Sequence, residues 1–190
     1  MSTIINDKHK FIFVHVPKTG GTMIKEILCD KFGCDGWIGG HHSITQIKEL
    51  QNTLWTRTYA ERKDYFTFGC VRNPYTRMQS AYKEIRGAKN YKKSGNFEEF
   101  CINPPTQFPH IQTQTHWLFG SNTKVDLILR TEHLDTDFPY VLDKLGFDSD
   151  IEIPMIRKGD ESLDVKLTDK CKEAIQIRYE DDFINFGYEK

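Results

Sequence analysis

The chain has 190 residues, of which 38% are hydrophobic and 13% aromatic, and these proportions suit one globular domain over residues 1–190. A formal net charge of −1 at pH 7 excludes the strongly basic class of nucleic-acid binders, so an anionic ligand must be held by a local cluster of charge. No apolar stretch approaches the roughly 18 residues of a membrane span. The five cysteines stand at irregular spacings, which argues against a disulfide framework.

Three apolar, β-rich runs predict buried strands, at residues 11–16, 66–71 and 125–129. Helical patterns occur between and after them. The predicted helices begin with one after Gly20 and Gly21 and continue at residues 44–51, 74–86, 97–102, 111–119, 135–145 and 167–179. Strands that alternate with helices are typical of an α/β fold with a mostly parallel central sheet flanked by helices. In such sheets ligands bind at the carboxyl ends of the strands.

Local signals mark the ends of several predicted helices. Ser43 followed by Gln46 is typical of a capping box. Asn73 followed by Pro74 predicts an N-cap with proline at the first helical position, and Gly146 predicts a helix end.

A glycine-rich turn follows the first predicted strand, with the sequence Pro17-Lys18-Thr19-Gly20-Gly21-Thr22. Backbone N–H groups at a helix start attract anions, and glycines let an oxyanion approach the backbone closely. Lys18 adds a positive charge, while Thr19 and Thr22 add hydroxyl donors. A glycine-rich turn with a solvated lysine is the alternative interpretation. The lysine precedes the glycines, so the turn does not match the Walker A motif of nucleoside triphosphatases.

A second candidate anion site follows the second predicted strand, at Val71-Arg72-Asn73-Pro74-Tyr75-Thr76-Arg77-Met78-Gln79-Ser80-Ala81-Tyr82. Arg72 stands at the strand end, and Ser80 lies two turns into the following helix. A guanidinium group makes paired hydrogen bonds to a phosphate, which a lysine ammonium does not reproduce. The alternative is an arginine that caps a strand end and a serine packed within a helix.

Together the two motifs resemble those of sulfotransferases that use the nucleotide donor PAPS, most closely the carbohydrate branch with the heparan and chondroitin 2-O-sulfotransferases. Residues 15–22 are similar to the 5′-phosphosulfate loop of that family, and residues 71–82 to its 3′-phosphate motif. The resemblance implies a P-loop-like three-layer fold and transfer of a sulfuryl group from PAPS to an acceptor hydroxyl, with PAP as the product and no required metal. The ligands that it implies are Lys18, Thr19, Gly20, Gly21 and Thr22 for the 5′-phosphosulfate, and Arg72 and Ser80 for the 3′-phosphate.

The resemblance also implies a catalytic base. In the 2-O-sulfotransferases a Gly-His-x-Ser segment between the two PAPS motifs carries this base, and Gly40-His41-His42-Ser43 matches it. The match gives the role to His41, with His42 as the second candidate. A histidine pKa of about 6.5 suits proton abstraction near neutral pH. Two loop histidines beside a helix start are the alternative. Lys18 would then also stabilise charge on the bridging oxygen of the leaving group.

Other residues are assigned by weaker likeness. Gln114 and His116 stand in a segment that resembles a family stretch near the acceptor cleft, although a helix-surface or core position would equally explain His116. The tripeptide Arg157-Lys158-Gly159 is similar to a 3′-phosphate loop of the cytosolic sulfotransferases, and a basic turn is its alternative. The basic run at residues 83–93 is either solvated surface or a binding strip for an anionic glycan.

Function and location stay open in several respects. The implied partner is a hydroxyl-bearing acceptor, a glycan or glycoside, and no nucleic acid is expected. A small P-loop-like kinase and a non-catalytic PAP- or nucleotide-binding module are the alternatives. We expect no metal site, because the histidines lack carboxylates at suitable spacing. Residues 1–10 lack a signal-peptide pattern, so a cytoplasmic location is expected. A shortened form of a Golgi-type enzyme is the alternative, since Golgi members carry a membrane anchor.

Overall fold

The computed structural model describes residues 2–33, 37–39, 42–49, 62–87, 95–153 and 165–190 of the chain. The chain divides into two compact units. Unit 1 comprises Met1–Val71 and His116–Met155, and unit 2 comprises Arg72–Thr115 and Ile156–Lys190. The single domain expected from the sequence stays a prediction.

Unit 1 contains the strands. They are β1 (Ser2–Asn6), β2 (Phe11–Val14), β3 (Trp37–Gly39), β4 (Phe66–Val71), β5 (Phe119–Gly120), β6 (Thr123–Lys124) and β7 (Leu127–Arg130). In the described residues β3, β1, β2, β4 and β7 form one sheet in that order, and β5 pairs with β6 in a separate hairpin. β2 pairs in parallel with β4, and β4 with β7, whereas β1 is antiparallel to both β2 and β3. The three predicted strands are confirmed as the parallel part of this sheet, and the antiparallel part was not predicted.

The centre of the sheet is built from aromatic residues. Every residue of β2 is buried, as expected for a strand covered on both faces. The rings of Phe11 and Phe13 on β2 lie 5.9 Å and 5.2 Å, centroid to centroid, from the ring of Phe68 on β4. This packing fixes β2 against β4, the two strands whose carboxyl ends precede the sequence motifs.

The predicted helices are present at similar positions, whereas the last helix, Glu180–Phe186, was not predicted. They are α1 (Gly21–Glu26), α2 (Ile44–Glu49), α3 (Pro74–Gly87), α4 (Phe97–Ile102), α5 (Gln114–Leu118), α6 (Leu134–Lys144), α7 (Asp169–Arg178) and α8 (Glu180–Phe186). α1 continues as a π-helical turn, Ile27–Lys31. In unit 1, α6 packs against β7. The structure is therefore of the mixed α/β class that the sequence predicts, and unit 1 has parallel central strands with α6 packed against β7.

Unit 2 is helical, and its core lies among α3, α4, α7 and α8. The cap predicted at Asn73 is present, because its Oδ1 accepts a hydrogen bond from the backbone N–H of Tyr75 at 2.9 Å. The residues of this core are Met78, Ala81, Tyr82, Ile85, Phe97, Phe100, Cys101, Ile111, Cys171, Ile175, Tyr179 and Phe183. Across the described residues of both units, no helix is long and apolar enough to cross a membrane. The location expected from the sequence stays a prediction.

Candidate functional site

The turn between β2 and α1 has an unusual backbone conformation. Lys18 (φ 68°) and Gly20 (φ 80°) both lie in the left-handed region, which glycine adopts readily and lysine rarely. The carbonyl of Gly20 accepts the first hydrogen bonds of α1, from Met23 N at 3.0 Å and Ile24 N at 3.3 Å. Left-handed residues within a turn direct successive N–H groups into a concave surface that suits an anion. The partly exposed Lys18 places a positive charge at the same turn.

Gly21 begins α1 directly against a buried histidine. A Cβ atom at Gly21 would overlap Cδ2 and Nε2 of the His15 imidazole. His15 is 1% exposed and stacks on Phe13, with ring centroids 5.9 Å apart. This position therefore requires glycine for the packing of the helix on the strand, in addition to any approach of a ligand.

A side-chain hydroxyl group stabilises the turn by a hydrogen bond to its backbone. The fully buried Thr19 donates its hydroxyl to the carbonyl of Val16 at 3.0 Å. The sequence predicted this hydroxyl as a ligand donor. In the structure this hydroxyl group supports the turn, and its role as a ligand donor stays a prediction.

Thr131, which follows β7, links the turn to the sheet. Its hydroxyl lies 2.9 Å from the carbonyl oxygens of both Thr19 and Val71 and shares its hydrogen between them. The buried Cys70 Sγ is 3.5 Å from the same hydroxyl, and burial raises the pKa of this thiol to about 12. Cys70 is therefore a neutral packing residue rather than a nucleophile.

Arg72 and the start of α3 form the second candidate site, within unit 2. Arg72, Thr76 and Ser80 are all partly exposed. The Nε of Arg72 donates to the Thr76 hydroxyl at 3.0 Å, and that hydroxyl donates to the carbonyl of Asn73 at 3.2 Å. Thr76 and Ser80 are four residues apart, so they share one face of α3. The sequence did not predict Thr76, although the spacing of four from Arg72 to Thr76 to Ser80 was the available signal.

The second arginine of this motif has a structural role. Arg77 is 2% exposed, and its Nη2 donates to the carbonyl of Gln112 at 2.8 Å. Its guanidinium carbon lies 5.7 Å from the centre of the Tyr179 ring. Burial raises the pKa of the Tyr179 phenol, whose hydroxyl donates to the carbonyl of Ile111 at 3.0 Å. This group belongs to the core of unit 2.

Gln114, predicted to contact the acceptor, binds the backbone of Arg72. Its Oε1 accepts from Arg72 N at 2.8 Å, and its Nε2 donates to Arg72 O at 2.9 Å. Gln114 is 0% exposed. In the structure Gln114 therefore supports Arg72, and its predicted contact with the acceptor stays a prediction.

Of the two candidate bases, His41 lies outside the described residues, and His42 precedes α2. The Nδ1 of His42 is buried, and no hydrogen-bond partner for it exists in the part of the chain that the structure describes. Burial lowers the pKa of His42 below its ordinary value of 6.5. The capping box beside it is confirmed, since Ser43 N donates to Gln46 Oε1 at 2.8 Å and Gln46 N to Ser43 Oγ at 3.2 Å. A neutral imidazole is thus held at a fixed helix start.

His116 is exposed on α5, and the segment after it contacts the helix that follows His42. The His116 ring packs edge-on against Trp117, with centroids 5.2 Å apart. The hairpin β5–β6 packs against α2 so closely that a Cβ at Gly120 would overlap the Thr45 hydroxyl. Unit 1 therefore joins the segments that carry His42 and His116.

Several predicted site residues lie outside the part of the chain that the structure describes. Arg157, Lys158 and Gly159 lie outside the described residues, as do residues 88–93 of the basic run at residues 83–93. The Lys83 side chain, at the start of that run, is partly exposed on α3. Within the described ranges, no group of histidine, cysteine, aspartate or glutamate side chains is arranged to hold a metal ion.

The model of the sulfotransferase family matches residues 1–189, so the chain belongs to this family. The curated proteins to which the chain is similar are carbohydrate sulfotransferases. It is 25% identical to carbohydrate sulfotransferase 10 of Rattus norvegicus, over 97% of this chain and 66% of that protein. It is 24% identical to the Homo sapiens protein of the same name over the same shares.

A second kind of relative is carbohydrate sulfotransferase 14 of Danio rerio, 24% identical over 80% of this chain and 50% of that protein. The chain thus spans 66% or less of the length of these curated relatives. No solved structure gave a significant match.

Proposed function

We propose that the chain transfers a sulfuryl group from PAPS to a hydroxyl group of a carbohydrate. Family membership supports sulfuryl transfer, and the names of the relatives support a carbohydrate acceptor. The observation that carries the proposal is the left-handed Lys18 in the turn after β2. A lysine in this conformation costs about 1–2 kcal/mol. Beside the left-handed Gly20 and the first N–H groups of α1, it helps to form a concave backbone surface that suits an anion.

The turn after β2 fits the 5′-phosphosulfate end of the donor. PAPS supplies an activated sulfuryl group at this end. In our proposal the N–H groups of Gly20, Gly21 and Thr22 bind the phosphosulfate oxygens, in a P-loop-like order of strand, turn and helix. The Lys18 ammonium stabilises charge that develops on the bridging oxygen, and loss of one preorganised donor of this kind costs about 2.7–4 kcal/mol.

The start of α3 fits the 3′-phosphate. The Arg72 guanidinium has its Nε fixed by Thr76, which lowers the entropy lost when the side chain binds a phosphate. The Ser80 hydroxyl, one turn further along the same face as Thr76, supplies a neutral donor. A site with both groups prefers a nucleotide with a 3′-phosphate over ATP, which lacks one.

The base in this proposal is a histidine of the segment before α2, His41 first and His42 second. The segment contains Gly-His-x-Ser, and the α2 capping box fixes its carboxyl end. For His42, a lowered pKa keeps the imidazole neutral and able to accept a proton at neutral pH. The exposed His116, which precedes the β5–β6 hairpin that packs against α2, is the proposed acceptor contact.

The proposal is tested by titrating the protein with PAP and, separately, with ATP while its thermal unfolding is followed. PAP at about 100 times its dissociation constant adds about 2.7 kcal/mol to the free energy of unfolding. We expect stabilisation by PAP and little by ATP. Stabilisation by ATP and magnesium but not by PAP would identify the kinase alternative and refute the sulfotransferase.

A further inference from the structure

Asp182 is a fully buried carboxylate at the start of α8, and its hydrogen bonds run to the start of α5. One oxygen accepts from Gln114 N at 2.8 Å. The other accepts from Thr115 N at 2.8 Å and from the Thr115 hydroxyl at 2.9 Å. Burying a carboxylate costs several kcal/mol unless close hydrogen bonds compensate, so apolar packing alone does not explain this residue.

Gln114 connects this carboxylate to Arg72. Its backbone N–H is bound by Asp182, while its side-chain amide pairs with both the N–H and the carbonyl of Arg72. The amide thus pairs with the Arg72 main chain as a neighbouring strand would, and it fixes the Arg72 backbone by two bonds at 2.8 Å and 2.9 Å. A continuous hydrogen-bonded chain runs from Asp182 through Gln114 to Arg72, entirely within unit 2.

We propose that Asp182 and Gln114 are positioning residues that hold Arg72 for the 3′-phosphate and so determine the preference for 3′-phosphorylated nucleotides. The inference rests on the proposed function, in which Arg72 binds that phosphate. Gln114 and Asp182 fix the Arg72 main chain, and Thr76 fixes its Nε at 3.0 Å. Bonds at the main chain and at Nε restrict the orientations that the guanidinium group can adopt, and bidentate phosphate binding benefits from such preorganisation.

The test compares PAP with 5′-AMP, which lacks only the 3′-phosphate, by calorimetric titration of folded variants. Gln114→Glu keeps the size of the side chain but loses the donor to Arg72 O, and Asp182→Asn removes the charge that binds the α5 start. Asn185→Ala is the matched control. Asn185 is exposed on the same helix α8, and it also bonds the Thr115 hydroxyl, at 3.3 Å.

We expect both variants to lower the ratio of PAP to AMP affinity by about tenfold or more, with AMP affinity unchanged and Asn185→Ala like the wild type. In turnover the KM for PAPS rises while kcat is largely kept, since the bond to the 3′-phosphate does not take part in the transfer. An unchanged ratio in folded Gln114→Glu, or an equal loss of PAP and AMP affinity, would overturn the inference.

Gln114→Glu alone decides the question if Asp182→Asn does not fold. Failure of the proposed function has a different signature. In that case the wild-type protein itself shows no preference for PAP over AMP.

Discussion

The backbone of Gly21 lies against the His15 imidazole so closely that no Cβ fits between them. His15 is the first residue after β2, and Gly21 is the first residue of α1. The contact therefore sets how closely the helix packs on the end of the strand, and the turn between them carries Lys18. The conformation of the proposed phosphosulfate turn depends on this packing.

Gly21→Ala should destabilise the protein by about 1–3 kcal/mol, the usual cost of overpacking, and weaken PAP binding. Urea unfolding and PAP titration measure the two effects. The double variant His15→Ala/Gly21→Ala is the control, because removal of the imidazole makes room for the new methyl group. We expect the cost of Gly21→Ala to be much smaller in the His15→Ala background. An equal cost in both backgrounds would show that the contact is not the cause.

Lys18→Gly should separate stability from ligand binding. Glycine relieves about 1–2 kcal/mol of strain from the left-handed backbone conformation. Its larger loss of conformational entropy on folding costs about 0.5–1 kcal/mol, so the free energy of unfolding is kept or slightly raised. Loss of the ammonium should abolish most PAP affinity and turnover. Lys10→Gly is the matched control, since Lys10 also has a positive φ of 52° and lies in the β1–β2 turn. The proposal is supported if both variants change similarly in stability and only Lys18→Gly loses PAP binding. Retained PAP binding in Lys18→Gly would contradict it.

Thr131→Val removes the hydroxyl that links the carbonyls of Thr19 and Val71. Leaving these acceptors without their donor should cost about 1–3 kcal/mol of unfolding free energy and lower PAP affinity. Thr136→Val is the control, because the Thr136 hydroxyl makes an exposed, local hydrogen bond to His133 O at 2.9 Å. Its loss should change the free energy of unfolding by no more than about 0.5 kcal/mol. Chemical denaturation of both variants measures the difference. Equal costs would mean that the Thr131 bridge does not hold the turn.

The pH dependence of stability should report on His42. Burial lowers its folded-state pKa below the value of 6.5 in the unfolded chain. Its neutral form is therefore favoured on folding, and the stability present above pH 6.5 is lost as the pH falls through the folded pKa. Wild-type protein should lose more stability than His42→Gln between about pH 7.5 and about pH 5.5. Urea unfolding at both pH values tests this, and equal losses would show that the imidazole is not desolvated.

Much of the fold could be predicted because central strands and caps leave local signals. β2 and β4 are buried on both faces and read as continuous apolar runs. β1 was missed because polar residues occupy buried positions in it, with Thr3 at 0% and Asn6 at 5% exposed. Its pairing also depends on a distant segment, as Ser2 opposite Gly39 shows. Local patterns carry no information on such a partner.

The sequence predicted where the candidate site lies, but not which of its residues face a ligand and which support their neighbours. Strand ends and turns located Lys18 and Arg72. The inward hydroxyl of Thr19 and the amide of Gln114 depend on partners that only folding brings near, Val16 and Arg72 respectively. Asp182 lies on α8, a helix that was not predicted, so its support of Gln114 had no local signal.

The proposed function is tested by transfer of a labelled sulfuryl group from PAPS to a panel of glycans. We expect a labelled glycan and equimolar PAP, both dependent on the acceptor, with the product lost in Lys18→Gly and kept in Lys10→Gly. A protein that binds PAP yet labels no glycan, or that labels glycans equally well without Lys18, would contradict it.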